Sequence, residues 1–377
     1  MKKLLGLFLG AITVFGLAGC GKSESKATLR VLNWGDYINE ELVKEFEKEN
    51  NCTVKISNSP SNEDMYLNIK TKKAKYDIAV PSDYMINKLQ KEGLLNKLDT
   101  KKLTNYKEGI YRESLQTLID TDGTSYKEYF VPYFWGSLGI MYNKDKEGVE
   151  DLVKANGFKV FFDTTTLDKY KVGMYASSRD SFAAAEAYLG YSFNTTDDAE
   201  LKACKDLLKA NSKKYEMWGD DDLKTSVASG NLDIALVYSG DYFDQRYQYI
   251  EADKNPDEKF GLFAPAEKNN VFYDGMVIPT TSENTDLAHK FIDFFLDPDN
   301  SFENTDFVGY APVLESVYQM YVELATDAEG EDYEYYSALM AIDAYDPSKV
   351  TNGEVYKFIS SEYDEKLEGY YTEVRGN

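Results

Sequence analysis

The chain has 377 residues, with 65 Asp and Glu against 42 Lys and Arg, for a formal net charge of −23. So acidic a surface disfavours nucleic acid and anionic lipid as partners and attracts cations, and the length calls for two lobes rather than one compact core. A single histidine and three cysteines argue against a His-rich zinc site, a Ser-His-Asp triad and a disulfide scaffold, so neither metal nor cofactor is expected.

In chain order, Lys2 and Lys3 precede an apolar run from Leu4 to Leu17 that is too short for an ordinary membrane span. The run ends in Leu17-Ala18-Gly19-Cys20, which resembles the lipobox of bacterial lipoproteins. Residues 1–19 are therefore expected to be a signal peptide. Cys20 would be the lipidated residue, anchored by two acyl chains, and residues 20–27 a polar tether. No later segment has the apolar length to span a bilayer. The mature chain would be an extracytoplasmic, membrane-tethered monomer.

Short apolar runs then alternate with amphipathic patterns. Strands are predicted at 29–34, 53–57, 76–81, 128–135, 139–143, 172–176, 233–239 and 271–278. Helices are predicted at "NEELVKEFEKEN", "SRDSFAAAEAYLG", "DAELKACKDLLKA" and "TDLAHKFIDFFLD". The alternation predicts an α/β chain with mostly parallel sheets. The chain from about Asn284 is expected to be mostly helical. On the helix around residue 290, His289 lies off the stripe formed by Leu287, Phe291, Phe294 and Phe295, so it is expected at the surface. Cys52 and Cys204 are expected as separate, partly buried thiols. Acidic stretches such as "GDDD" and "EGEDYE" are expected to be solvated surface.

In open α/β sheets ligands bind at the carboxyl ends of strands. Those ends share a composition here: Trp34-Gly35-Asp36-Tyr37; Pro81-Ser82-Asp83-Tyr84; Tyr133, Trp135 and Gly136; Tyr175 to Asp180; Tyr238-Ser239-Gly240-Asp241-Tyr242; and Phe272-Tyr273-Asp274-Gly275. Helix capping explains Ser82, Asp83 or Asp241 taken singly, and aromatics at strand ends are often core. Capping does not explain acids and aromatics together. A flexible organic cation needs both: carboxylates for its ammonium groups and aromatic faces for its methylenes. Trp34 and Tyr37 would be walls, Asp36 a charge partner, and Gly35 a place of close backbone approach.

The stretches "LNWGDYIN", "YDIAVPSDYMINKLQKEGLL", "VPYFWGSLGIMYN", "AYLGYSFNTTD", "DGMVIPTTSENTDLAHKFIDFFLDPD", "VGYAP" and "TNGEVY" resemble, in order, the spermidine/putrescine-binding proteins of polyamine ABC transporters. The resemblance covers nearly all of the mature length. It implies a type II periplasmic-binding-protein fold: two α/β lobes, each a mostly parallel sheet flanked by helices, with the ligand in the cleft between them. Lobe 1 would comprise 28–135 and 272–318, and lobe 2 would comprise 136–271 and 319–377. Carried over by position, the resemblance implies Trp34, Gly35, Asp36, Tyr37, Ser82, Tyr84, Ser177, Asp180, Tyr238, Phe272, Asp274, Tyr310 and Tyr356 as ligand-binding residues. Gly35 stands where the family has a threonine, Tyr238 and Phe272 where it has tryptophans, and Tyr356 about where it has a glutamine. Ser177 takes the place of an acid in the spermidine binder, which puts spermidine preference in doubt. The expected function is a non-enzymatic receptor that passes polyamine to ABC permease subunits. The alternatives are the same fold with another small cationic amine, a secreted carboxylate glycosidase using Asp180 and Asp274, or an acidic adhesion lipoprotein.

Overall fold

The computed structural model describes residues 26–72, 74–122, 125–266 and 268–376. The signal peptide, the lipidated Cys20 and the tether through Ser25 lie outside the described residues. Among those described, no helix is long and apolar enough to cross a membrane.

Among the described residues, eleven strands form one connected sheet: β1 (Ala27–Asn33), β2 (Cys52–Asn58), β3 (Ile78–Ala79), β4 (Leu95–Asn96), β5 (Phe130–Asn143), β6 (Val172–Tyr175), β7 (Met217–Gly219), β8 (Ile234–Tyr238), β9 (Phe260–Phe263), β10 (Asn269–Pro279) and β11 (Gly353–Glu354). The strand order is β2-β1-β3-β10-β5-β8-β6-β7, with β4 and β11 on β10 and β9 on β5. β1 pairs in parallel with β2 and β3, and β6 with β7 and β8. The two parallel groups are joined by β10 and β5, which run antiparallel to each other with Val271 opposite Ser137 and Val277 opposite Phe130. The sheet is thus mixed: the expected parallel pairing holds in its outer groups and in the short β11 on β10, but not between β5 and its neighbours.

The predicted strands 128–135 and 139–143 are one strand of fourteen buried residues. Gly136 does not break it: a Cβ there would meet the Phe272 ring at 2.9 Å, so the glycine serves a close approach between β5 and β10. A register irregularity falls between Asp274 and Gly275, where Pro132 faces Gly275 and Phe134 faces Asp274, leaving Tyr133 unpaired. Such a bulge, beside a proline that cannot donate to the ladder, re-aims neighbouring side chains.

The predicted helices form at Glu40–Asn50, Ser178–Leu189, Asp198–Asn211 and Thr285–Leu296. Each of the first three starts at a side-chain cap, from Asn39, Ser177 and Asp197. Beyond Asn284 the chain is largely helical, ending in Ser361–Arg375. His289 is buried rather than exposed. Its Nε2 accepts the Asp99 N–H at 2.9 Å while Nδ1 lies 2.7 Å from the Thr285 carbonyl. The face that looks polar in sequence is covered by the distant segment around Asp99. Cys52 and Cys204 are free, and both are buried more fully than expected.

Candidate functional site

The carboxyl ends of β1, β3, β6 and β8 converge on one cleft of about 380 Å³, in the size range of small-molecule sites. All thirteen residues expected as ligand-binding line it: Trp34 to Tyr37, Ser82, Tyr84, Ser177, Asp180, Tyr238, Phe272, Asp274, Tyr310 and Tyr356.

Its walls are aromatic and touch one another. Tyr175 packs edge-on against Tyr238 (centroids 5.3 Å apart), Tyr238 against Phe272 (4.9 Å) and Tyr310 against Tyr37 (5.1 Å), while Tyr84 meets Tyr356 at 6.2 Å. Trp34 is half-buried and is held in place by its Nε1–H, which donates to the Val80 carbonyl at 2.8 Å. The third strand-end group differs from expectation, because neither Tyr133 nor Trp135 reaches the cleft. Tyr133 stands behind Tyr37, donating to its carbonyl at 2.9 Å, and Trp135 is buried with its Nε1–H on the Pro312 carbonyl at 3.0 Å. The bulge that leaves Tyr133 unpaired is invisible in the sequence pattern.

Asp274 lines the cleft from β10. Its Oδ2 accepts the Tyr37 hydroxyl at 2.7 Å, and its Oδ1 is buried with no partner among the described residues. Burial raises its carboxyl to about 6, against the opposing pull of hydrogen bonding from Tyr37 and Ser82. Asp180 Oδ1 accepts the hydroxyls of Tyr238 at 2.7 Å and Tyr356 at 3.1 Å, and burial pushes its carboxyl upward. Ser177 lines the cleft beside it but already caps the helix it precedes, accepting the Asp180 N–H at 3.3 Å. Asp36 is exposed and takes a left-handed φ of 48°. Gly35 faces the second strand group, since a Cβ on it would lie 3.5 Å from Asp221 Oδ2.

Several lining residues were not expected. Glu63 accepts the Tyr84 hydroxyl at 2.9 Å. Asp241 accepts the Tyr238 N–H at 3.0 Å, and burial raises its carboxyl to about 7. Asp220 and Asp221 belong to the stretch expected to be plain solvated surface; both are exposed, but at the cleft mouth. Two cations also line the cleft, each already engaged: Arg179 Nη2 lies 2.9 Å from Asp364, and Lys224 Nζ lies 2.8 Å from Asp244. The sequence signal for Tyr175, Arg179 and Asp241 lay in the strand-end stretches themselves. Asp220, Asp221 and Lys224 follow β7, whose three residues are too few for a period to show. Nine carboxylates line the cleft in all, so what it lacks is positive charge.

A profile of the bacterial extracellular solute-binding protein family matches residues 41–334. A putrescine-binding periplasmic protein of Pseudomonas aeruginosa is 31% identical over 316 residues, covering 82% of this chain and 85% of that protein. Among solved structures, the spermidine/putrescine ABC transporter substrate-binding protein of Streptococcus pneumoniae matches with a TM-score of 0.66 and 28% identity, over 93% of this chain and 99% of that one. The Tp0655 lipoprotein of Treponema pallidum matches with a TM-score of 0.73 and 25% identity, over 93% and 100%.

Proposed function

We propose, from the premise that this chain belongs to the bacterial extracellular solute-binding proteins, that it captures a polyamine in the cleft and delivers it to an ABC transporter permease. The observation that carries the reading is the buried, unpartnered Oδ1 of Asp274 inside a continuous aromatic wall. A lone buried carboxylate is expensive, and an ammonium that enters beside it removes the expense. Each charge-assisted hydrogen bond contributes about 1.5–3 kcal/mol and each aromatic face about 0.5–2 kcal/mol. Two ammonium groups among several aromatics reach the ~8 kcal/mol of micromolar binding after ordering costs. All thirteen expected residues act in this reading as contacts, with Asp274 central and Asp180 and Asp36 toward the ends. Acids without a committed counter-cation suit capture better than glycoside hydrolysis, and the receptor does no chemistry on its ligand.

The division into lobes 28–135 with 272–318 and 136–271 with 319–377 accompanies this proposal. β5 and β10 would be the hinge about which the lobes close. Asp364 pairs with Lys88 at 2.8 Å as well as with Arg179, so an ion pair would join helices assigned to opposite lobes. Lipidation at Cys20 would hold the receptor at the outer face of the membrane. The Treponema relative described as a lipoprotein is in keeping with that anchor.

Fluorescence tests the reading. Trp34 lines the cleft, whereas Trp135 and Trp218 do not. Putrescine or spermidine should change the emission of the parent and of Trp135→Phe, and leave that of Trp34→Phe nearly unchanged. A full response in Trp34→Phe removes Trp34 from the wall. Ser177→Asp tests ligand length. Asp caps helices as well as Ser does, so the helix should persist while the Asp180 end gains a carboxylate. Affinity for spermidine should rise more than for putrescine, by about 1.5–3 kcal/mol if the new pair is made, and the gain should shrink in salt. Equal effects on both amines place Ser177 beyond their reach.

A further inference from the structure

Asp83 opens the helix Asp83–Lys91 just after the Ser82–Asp274 bridge, lines the cleft and is wholly buried. Helix capping, the role its sequence position suggests, accounts for only one of its oxygens. Ser82 is the N-cap, Asp83 Oδ1 accepts the neighbouring Tyr84 N–H at 2.6 Å, and Oδ2 has no partner among the described residues. Asp83 and Asp274 therefore both present a buried, unpaired oxygen at the same cleft, on backbone segments that pair with each other.

Backbone N–H groups of Tyr84 and Tyr273 favour the ionised form of Asp83, and the Tyr37 and Ser82 hydroxyls that of Asp274, but burial outweighs them and no cation among the described residues is hydrogen-bonded to either. The Tyr37 and Tyr310 phenols lie near Asp274 and those of Tyr126 and Tyr273 near Asp83, while Tyr84, whose N–H reaches Asp83, turns its own phenol to Glu63. Burial holds all five phenols above their usual range, so they are neutral. Arg179 acts on Asp83 only from a distance, with its guanidinium committed to Asp364 and lying 4.6 Å from the Tyr84 ring centroid. Two buried carboxylates that repel each other, with no cation hydrogen-bonded to either, are cheapest with one proton on the pair.

We propose that Asp83 is a second carboxylate of the amine-binding centre, and that it and Asp274 carry one proton in the empty cleft, which an incoming ammonium displaces to water. The inference rests on the amine reading above. One carboxyl O–H bond breaks, its proton goes to bulk water, and the ammonium donates hydrogen bonds to the freed oxygens. Before binding the centre holds two carboxyl groups and one proton, a net charge of −1. After binding it holds two carboxylates and one ammonium, again −1. Capture is thus an exchange of one cation for another that leaves the buried charge unchanged. Deep burial, which pushes the Asp83 carboxyl well up with Asp274 adding to the effect, supports the assignment.

The test is calorimetry of the purified protein with putrescine and with spermidine at pH 7, in phosphate and in Tris, whose different ionisation heats report protons released. The parent should release close to one proton per amine bound, and Asp83→Asn close to none. Between pH 6 and 7 the parent's affinity should rise about tenfold per unit, and that rise should move to lower pH in Asp83→Asn. Amine binding without proton release by the parent overturns the pair with no need of a variant. Equal release by the parent and by a folded Asp83→Asn overturns the role of Asp83. No binding of either amine overturns the amine reading, and the displacement with it.

Discussion

Asp274→Asn is expected to weaken polyamine binding by about 2–5 kcal/mol, roughly 30- to several-thousand-fold, because it removes one partner from a desolvated ammonium. Asparagine keeps the size and an acceptor for the Tyr37 hydroxyl but not the charge. The same change should raise the melting temperature of the ligand-free protein by a few degrees. A carboxyl moved from the usual value to about 6 by burial costs the empty fold ~3 kcal/mol once it is ionised. The sign follows from the direction of the shift. The folded pKa lies above the unfolded one, so the stabilising protonation is complete below about pH 4 and lost as pH rises through about 6. The advantage of Asp274→Asn should therefore grow between about pH 4 and 6, be full above 6, and vanish in acid. In the parent, protonation of Asp274 alone should weaken amine binding about tenfold at pH 5. Calorimetry and ligand-free melting between pH 4.5 and 8 check both halves. Unaltered affinity removes Asp274 from the site, and a variant that unfolds without ligand makes the carboxylate structural.

Gly240→Ala is expected to damage both fold and site. Gly240 is in the first turn of the helix Ser239–Glu251, where alanine on propensity alone should stabilise by about 1 kcal/mol. A Cβ there, however, overlaps the ring of Tyr310. That ring has little freedom to withdraw, since it is buried against Tyr37, Phe134 and Phe272. Overpacking of this kind costs about 1–3 kcal/mol, and the direction left open to Tyr310 is the cleft. Melting temperature and polyamine affinity should fall together, the affinity by about tenfold or more. Adding Tyr310→Ala should recover part of the stability but not the affinity, because the two positions share one contact. A Gly240→Ala protein that melts and binds like the parent contradicts the close packing of Tyr310 on this helix.

The strand ends carried the site because all but the Tyr133–Trp135 group, which misses the cleft, pair acid with aromatic, a combination that neither capping nor core packing requires. Trp34 to Tyr37, Tyr238, Phe272 and Asp274 were legible in this way. Tyr310 and Tyr356 came through family resemblance alone, whereas Ser177 sits in a strand-end stretch but was singled out by the resemblance, since the pattern marks acids and aromatics. What escaped depends on contacts distant in sequence. His289 looks exposed until the segment around Asp99 covers it. Trp135 points to Pro312 because β5 bulges at Tyr133. Asp220 and Asp221 read as solvated surface, yet the fold carries them to the cleft mouth beside Gly35. The parallel outer strands followed from alternation of strand and helix, whereas the antiparallel β5 and β10 did not, because their pairing joins residues far apart in the chain.

The central claim is that the cleft binds a polyamine and releases it unchanged. Calorimetric titration with putrescine, cadaverine, spermidine and spermine, beside an oligosaccharide control and followed by recovery of each ligand, tests it directly. The account predicts saturable binding of one amine per chain at micromolar affinity or tighter, with every ligand recovered intact. Heatless titrations with all four amines, or hydrolysis of the oligosaccharide, would contradict it.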